Sequence, residues 1–184
     1  MKTTILKFFT LSVAIFAFST ISIGQNPIGQ NLSTTSAATT AGARIIKPLT
    51  ISVGTNLEFG DILVGSNEVT ISTENERTAT ETSLLLDLTS GGRTPQASTF
   101  NVQGEASLSY LITFDVVEDL TITNGTDTMT LSNFTENAGG TNDGKGTIGT
   151  GGTDSFQVGA TLTVADGQEP GVYQGSYTVT VAYE

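Results

Sequence analysis

In the second half of the chain, apolar and polar side chains alternate with a period of two. Residues 177–183 put Tyr177, Val179, Val181 and Tyr183 on one side and Thr178, Thr180 and Ala182 on the other. Phe156, Val158, Ala160, Leu162 and Val164 alternate in the same way, as do Leu108, Tyr110, Ile112 and Phe114 further upstream. Successive side chains of an extended strand point to opposite faces, so each run predicts a strand with one face on a core. The last run is the candidate closing strand, and on this reading no C-terminal anchor or sorting tail follows it.

Shorter signals fill in the rest. Ala41, Ala43 and Ile45 alternate, Pro48 interrupts, and Leu49, Ile51 and Val53 alternate again. Proline cannot donate to a ladder, so this region predicts an edge strand or a bulge. Leu57–Ile62, Val69 with Ile71, and Thr99–Val102 predict further short strands. Thr73–Thr82 is polar and reads as a loop or hairpin tip. Leu84–Leu88 fits helix or strand by period alone, and Ser90-Gly91-Gly92 behind it favours a short strand or turn. Leu120–Thr123 and Met129–Phe134 flank Asn124-Gly125, a strong hairpin signal because both turn positions are then expected at positive φ.

No sustained 3.6-residue apolar period occurs beyond the N-terminal segment. Turn signals recur about every eight to twelve residues, the spacing of a β-sandwich. The predicted class is therefore all-β: one antiparallel sandwich of about eight or nine strands over residues 41–184, in two sheets with Greek-key connections.

The N-terminus has a different pattern. Lys2 and Lys7 precede a nearly continuous apolar stretch, Phe8–Phe18, and Ser22-Ile23-Gly24 places small residues before a cut between Gly24 and Gln25. Residues 1–24 thus read as a cleaved secretory signal peptide. The apolar stretch is about half the ~20 residues that a membrane-spanning helix needs. Residues 25–40 are rich in Ser, Thr, Ala and Asn, with Ile28 and Leu32 as the only sizeable apolar side chains, and read as a flexible extension. The expected location is periplasm, cell surface or extracellular space, with no membrane segment left after signal removal.

Composition narrows the chemistry. The 184-residue chain contains no Cys and no His. Disulfides, thiolate metal sites, a thiol nucleophile and the commonest general base and metal ligand are thereby absent. No catalytic serine or P-loop motif is found either. The expectation is a non-enzyme with no catalytic, cofactor-binding or metal-binding residues and no cofactor. After signal removal five basic residues (Arg44, Lys47, Arg77, Arg93, Lys145) face 18 acidic ones, a net charge of −13. Such a field repels nucleic acid, so no nucleic-acid partner is expected. Asn142, Asp143 and Gly144 offer hard oxygen atoms of the kind calcium takes, but the carboxylate spacing of a calcium loop is missing. The stretch 136–152 reads instead as a mobile, glycine-rich surface loop.

Several segments carry a resemblance. Residues 41–51 (AGARIIKPLTI) and 57–62 (LEFGDI) resemble the opening of a secreted bacterial family known as domain of unknown function 4402. Residues 93–104 (RTPQASTFNVQG), 156–162 (FQVGATL) and 170–181 (PGVYQGSYTVTV) resemble its middle and end. The resemblance implies an immunoglobulin-like or pilin-like sandwich in a periplasmic or surface protein, with no assigned activity. The ending, with Tyr183 close to the terminus, is also similar to that of spore-coat-U-type and pilin subunits. That likeness implies partners among other surface or pilin-like proteins, engaged through β-strand edges. The N-terminal extension has too few large apolar residues to make a good donor strand. The functional expectation is an extracytoplasmic structural or surface-interaction protein, with a pilus- or coat-like subunit as one form of it. The alternative is a glycan- or small-ligand-binding module that uses loops at one end of the sandwich.

Overall fold

The computed structural model describes residues 35–88, 90–115 and 119–184. The expected signal peptide, its Gly24/Gln25 cut and the extension up to residue 34 lie outside the described residues. Residues 35–42 are exposed and without regular secondary structure. One compact unit runs from Ala43 to Glu184.

That unit is all-β, with twelve strands among the described residues. They are β1 (Thr50–Thr55), β2 (Asp61–Ile62), β3 (Asn67–Ile71), β4 (Arg77–Ala79), β5 (Leu85–Leu86) and β6 (Ser98–Gln103), then β7 (Ser109–Phe114), β8 (Leu120–Thr123), β9 (Thr128–Glu136), β10 (Lys145–Thr147), β11 (Thr153–Val164) and β12 (Val179–Tyr183). The count exceeds the eight or nine expected. β2, β4, β5 and β10 are two or three residues long, too short to show an alternation. Accordingly β4 lies inside the presumed loop 73–82, and β10 inside the presumed loop 136–152. β1 begins only at Thr50, past Pro48, and residues 41–49 form no strand.

β11 organises the molecule. Its first half pairs with β6 and its second half with β3, while β9 pairs with it over residues 158–163. Val158 opposes both Ser98 and Glu136, so β6 and β9 occupy opposite edges, and β3 follows β6 along the same edge. β1 extends this sheet beyond β6, β4 beyond β3 and β8 beyond β9. A smaller sheet has the order β10-β7-β12, and β2 pairs with β5. All of these pairings are antiparallel.

The alternation along β11 feeds two apolar clusters. Phe156 and Val158 join Phe100 and Val102 of β6 against Tyr110, Ile112 and Val179 of the smaller sheet. Phe156 stacks on Phe100 with ring centroids 5.4 Å apart. Ala160, Leu162 and Val164 join Phe59, Val69, Ile71 and Leu131 in the second cluster. Burial holds the Tyr110 phenol above its ordinary range, and its hydrogen bond to Asp154 (2.8 Å) acts the same way.

The presumed loop 136–152 is ordered around a buried carboxylate. Glu136 accepts from the main-chain N–H groups of Ala138 (2.5 Å) and Gly144 (3.0 Å), and Asn142 accepts from Glu136 N–H (2.9 Å). Ala138 and Ile148 are buried in the first cluster. Glycine content suggested a mobile segment, but side-chain caps hold these turns. The β8–β9 hairpin forms as expected, with a different turn. Its loop has four residues, 124–127, and of Asn124 and Gly125 only the glycine takes positive φ (99°). Asn124 instead accepts from Thr126 and Asp127 N–H.

Candidate functional site

Eight large apolar side chains are substantially exposed among the described residues, and five of them rim one cleft: Val53, Leu63, Val64, Leu88 and Val172. Val172 is 58% exposed and Leu88 53%. Single exposed apolar residues are ordinary, whereas a cluster around a concavity marks a contact surface. The cleft has a volume of about 780 Å³. Its floor is the sandwich core itself, with Phe100, Leu131, Leu162 and Val164 at the bottom.

Three segments wall it. The first, residues 56–64, bridges through Glu58 to Gln96. It is held from below by Arg77, whose guanidinium is almost wholly buried and donates to the carbonyls of Phe59 (3.3 Å), Asp61 (3.4 Å) and Leu86 (3.1 Å). The second wall is the β8–β9 hairpin, presenting Leu120, Ile122 and Met129. The third is residues 168–177. There Gln174 exchanges two main-chain bonds with Thr123, both 2.9 Å. Gly175 makes this approach possible, since a Cβ there would lie 2.6 Å from Cγ2 of Ile122.

Several polar side chains of the cleft are already engaged. Arg93 donates from Nε to Glu58 Oε1 (2.8 Å) and from Nη2 to Oε2, and this bonding and charge raise the guanidinium above its ordinary value. The Tyr177 hydroxyl shares a hydrogen bond with Ser98, and burial raises its phenol. The Tyr173 hydroxyl donates to the Glu169 carbonyl (2.7 Å) and accepts from Gln168 Nε2 (2.8 Å). Beside these pairs the cleft leaves its apolar rim open.

The candidate closing strand lies beside this cleft. Tyr177, Val179, Val181 and Tyr183 are buried or half-buried, and Thr178, Thr180 and Ala182 are exposed. The β7–β12 ladder starts at Val179, so Tyr177 precedes the strand and contributes its ring to the cleft floor. At the far end Tyr183 acts as a latch, donating to the Lys47 carbonyl (2.9 Å) and accepting from Glu105 N–H (2.6 Å). Asn142, Asp143 and Gly144 are not gathered into an ion site. Their groups serve the turn, with Asp143 accepting from Lys145 N–H (3.2 Å), and no cluster of metal-ligating side chains occurs among the described residues.

Sequence reasoning did not single out Leu63, Val64, Leu88 or Val172. A signal was present for the first two: adjacent large apolar residues on extended backbone cannot both face one core.

A family model described as a domain of unknown function, DUF4402, matches residues 49–183. No curated protein and no solved structure matches the chain.

Proposed function

We propose that this chain, which belongs to the DUF4402 family, is a non-enzymatic extracytoplasmic protein that works by holding another molecule at its apolar cleft. The observation that carries the reading is the set of five exposed apolar side chains around a cleft floored by the core. Exposed apolar surface costs solubility and stability, so an open apolar cleft of this kind is what an interaction site looks like. The N-terminal sequence pattern supports export, and the lack of His and Cys supports a role without catalysis.

A structural role in a surface assembly, pilus- or coat-like, is the narrower form of this reading. β1 and β12 are edge strands of their sheets and leave main-chain edges for a partner. Exchange of the chain's own N-terminal strand receives less support, because the Tyr183 latch and the Arg44–Glu105 ion pair (3.0 Å) tie residues 44–47 to the sandwich. A small apolar ligand is the second reading, favoured by the volume of about 780 Å³, within the roughly 300–1,000 Å³ of such sites. A glycan is less favoured, since the Arg93, Glu58, Tyr173 and Tyr177 groups that would meet its hydroxyls are already bonded within the chain.

Two measurements test the proposal. Cell fractionation should recover the protein outside the cytoplasm with its N-terminus at Gln25; an uncleaved cytoplasmic chain would remove the extracytoplasmic part. A dye that fluoresces in apolar surroundings should bind the native protein and lose that binding in Leu63→Asp. Equal dye binding by the variant would mean that the cleft is not the open surface.

A further inference from the structure

Resting on that reading of the cleft, we propose that its occupant is an extended segment of another protein, apolar at alternate residues and flanked by lysine or arginine, laid along the free main-chain edge of residues 173–177. The first support is that edge. Gln174 turns its N–H and C=O to Thr123. On extended backbone the groups of Tyr173 and Gly175 then point away from Thr123, and both residues line the cleft. Main-chain groups of Tyr173, Gly175 and Tyr177 have no main-chain partner among the described residues. A row of unpaired donors and acceptors beside an apolar trough is the arrangement that strand addition uses: main-chain bonds fix the segment and alternate side chains fill the trough.

The second support is charge. The cationic side chain of the cleft, Arg93, is held by Glu58 and its main-chain N–H by Asp61, which leaves the carboxylate of Glu169 on the lining without a cationic partner among the described residues. The whole chain carries −11. A segment with basic ends is drawn to such a field, and an acidic one, a second copy of this chain included, is repelled. Side-chain size also argues against the chain's own arm. Residues 35–44 are Ser, Ala, Thr and Gly apart from Arg44, too small to fill about 780 Å³.

The test uses the full secreted chain and synthetic peptides, with affinity read by fluorescence anisotropy. A peptide that alternates valine and threonine between lysine ends should bind. Its backbone N-methylated and glutamate-ended versions should bind at least about tenfold more weakly, and added salt should weaken the lysine-ended complex. Val172→Asp and Leu63→Asp, both at exposed positions, should abolish binding while leaving the urea midpoint unchanged. Equal affinity for the N-methylated peptide would remove the strand-addition geometry, and preference for the glutamate-ended peptide would remove the charge argument. Tighter binding of a peptide of residues 35–46 would identify a second copy as the occupant, and tighter binding of palmitate an acyl chain. Either result overturns the proposal, as does failure of every probe. In the last case, dye binding and export would still decide the broader reading separately.

Discussion

At one end of β11, Phe156 and Val158 are roofed by the smaller sheet, with Tyr110, Ile112 and Val179 set against them. At the other end Leu162 and Val164 are just as buried in their own cluster, yet they form the bottom of an open cleft. A three-stranded ladder closes the first cluster; the second is covered by a two-residue ribbon, a hairpin and two irregular segments. The difference is one of roofing, not of floor. A continuous ladder covers apolar side chains and satisfies its own main chain at once. Irregular walls leave part of both exposed, and that exposed part is available to a partner.

The sharpest break of this comparison is at the closed end. Phe156→Ala removes a buried ring from its stack on Phe100 and is expected to cost about 3–5 kcal/mol, read from urea unfolding. A loss below about 1 kcal/mol would mean that the closed end is not packed as described. Gly159→Ala attacks the midpoint of β11. The added Cβ would sit 2.2 Å from the Ile71 carbonyl oxygen, so the β3 backbone must move, at a cost of about 3 kcal/mol. Because β11 serves both clusters, fluorescence and circular dichroism should still report one transition; two separated transitions would show that the ends unfold independently.

Tyr183→Phe keeps the ring and removes the latch to Lys47 and Glu105, with an expected loss of about 1 kcal/mol. Faster proteolysis before Thr50 should accompany it, and unchanged protection would show that the latch does not hold that segment. At the open rim, Leu88→Ser should shift stability by no more than about 0.5 kcal/mol, since Leu88 is 53% exposed. A cost equal to that of Phe156→Ala would place Leu88 in a closed core.

The smallest expected effect is on pH. Main-chain N–H of Lys47 and the Arg44 guanidinium hold the Glu105 carboxyl below its usual range. Such a group contributes fully above its unfolded value, about 4.3, and that contribution is lost as pH falls through the lower folded value. The segment before β1 should therefore be released only below about pH 4. Glu105→Gln should remove that acid step from a proteolysis-versus-pH curve, and persistence of the step would assign it elsewhere.

The closed end was largely legible in the sequence. β6, β7, β11 and β12 alternate with a period of two because one face of each is buried against a regular layer. The cleft was not legible, because it is assembled from residues 53–64, 88, 120–131 and 168–177, far apart in the chain and mostly on irregular backbone. Its rim residues are apolar but follow no period. Glu136 was hidden for a related reason. A carboxylate beside a glycine-rich stretch reads as solvent-facing until the N–H groups of Ala138 and Gly144 are seen to converge on it.

The position of β11 also sets an order of events. β3, β6 and β9 share it as a partner, and it is the eleventh of the twelve strands among the described residues. A chain that emerges from its N-terminus can form the β1–β6, β3–β4 and β8–β9 ribbons early, but these cannot join until residues 153–164 arrive. Pairings this distant in sequence carry a large loop-closure cost and fold slowly. Until β11 arrives, the ribbons expose sticky edges and apolar faces, so the newly made chain is expected to depend on a holding chaperone until nearly all of it has emerged.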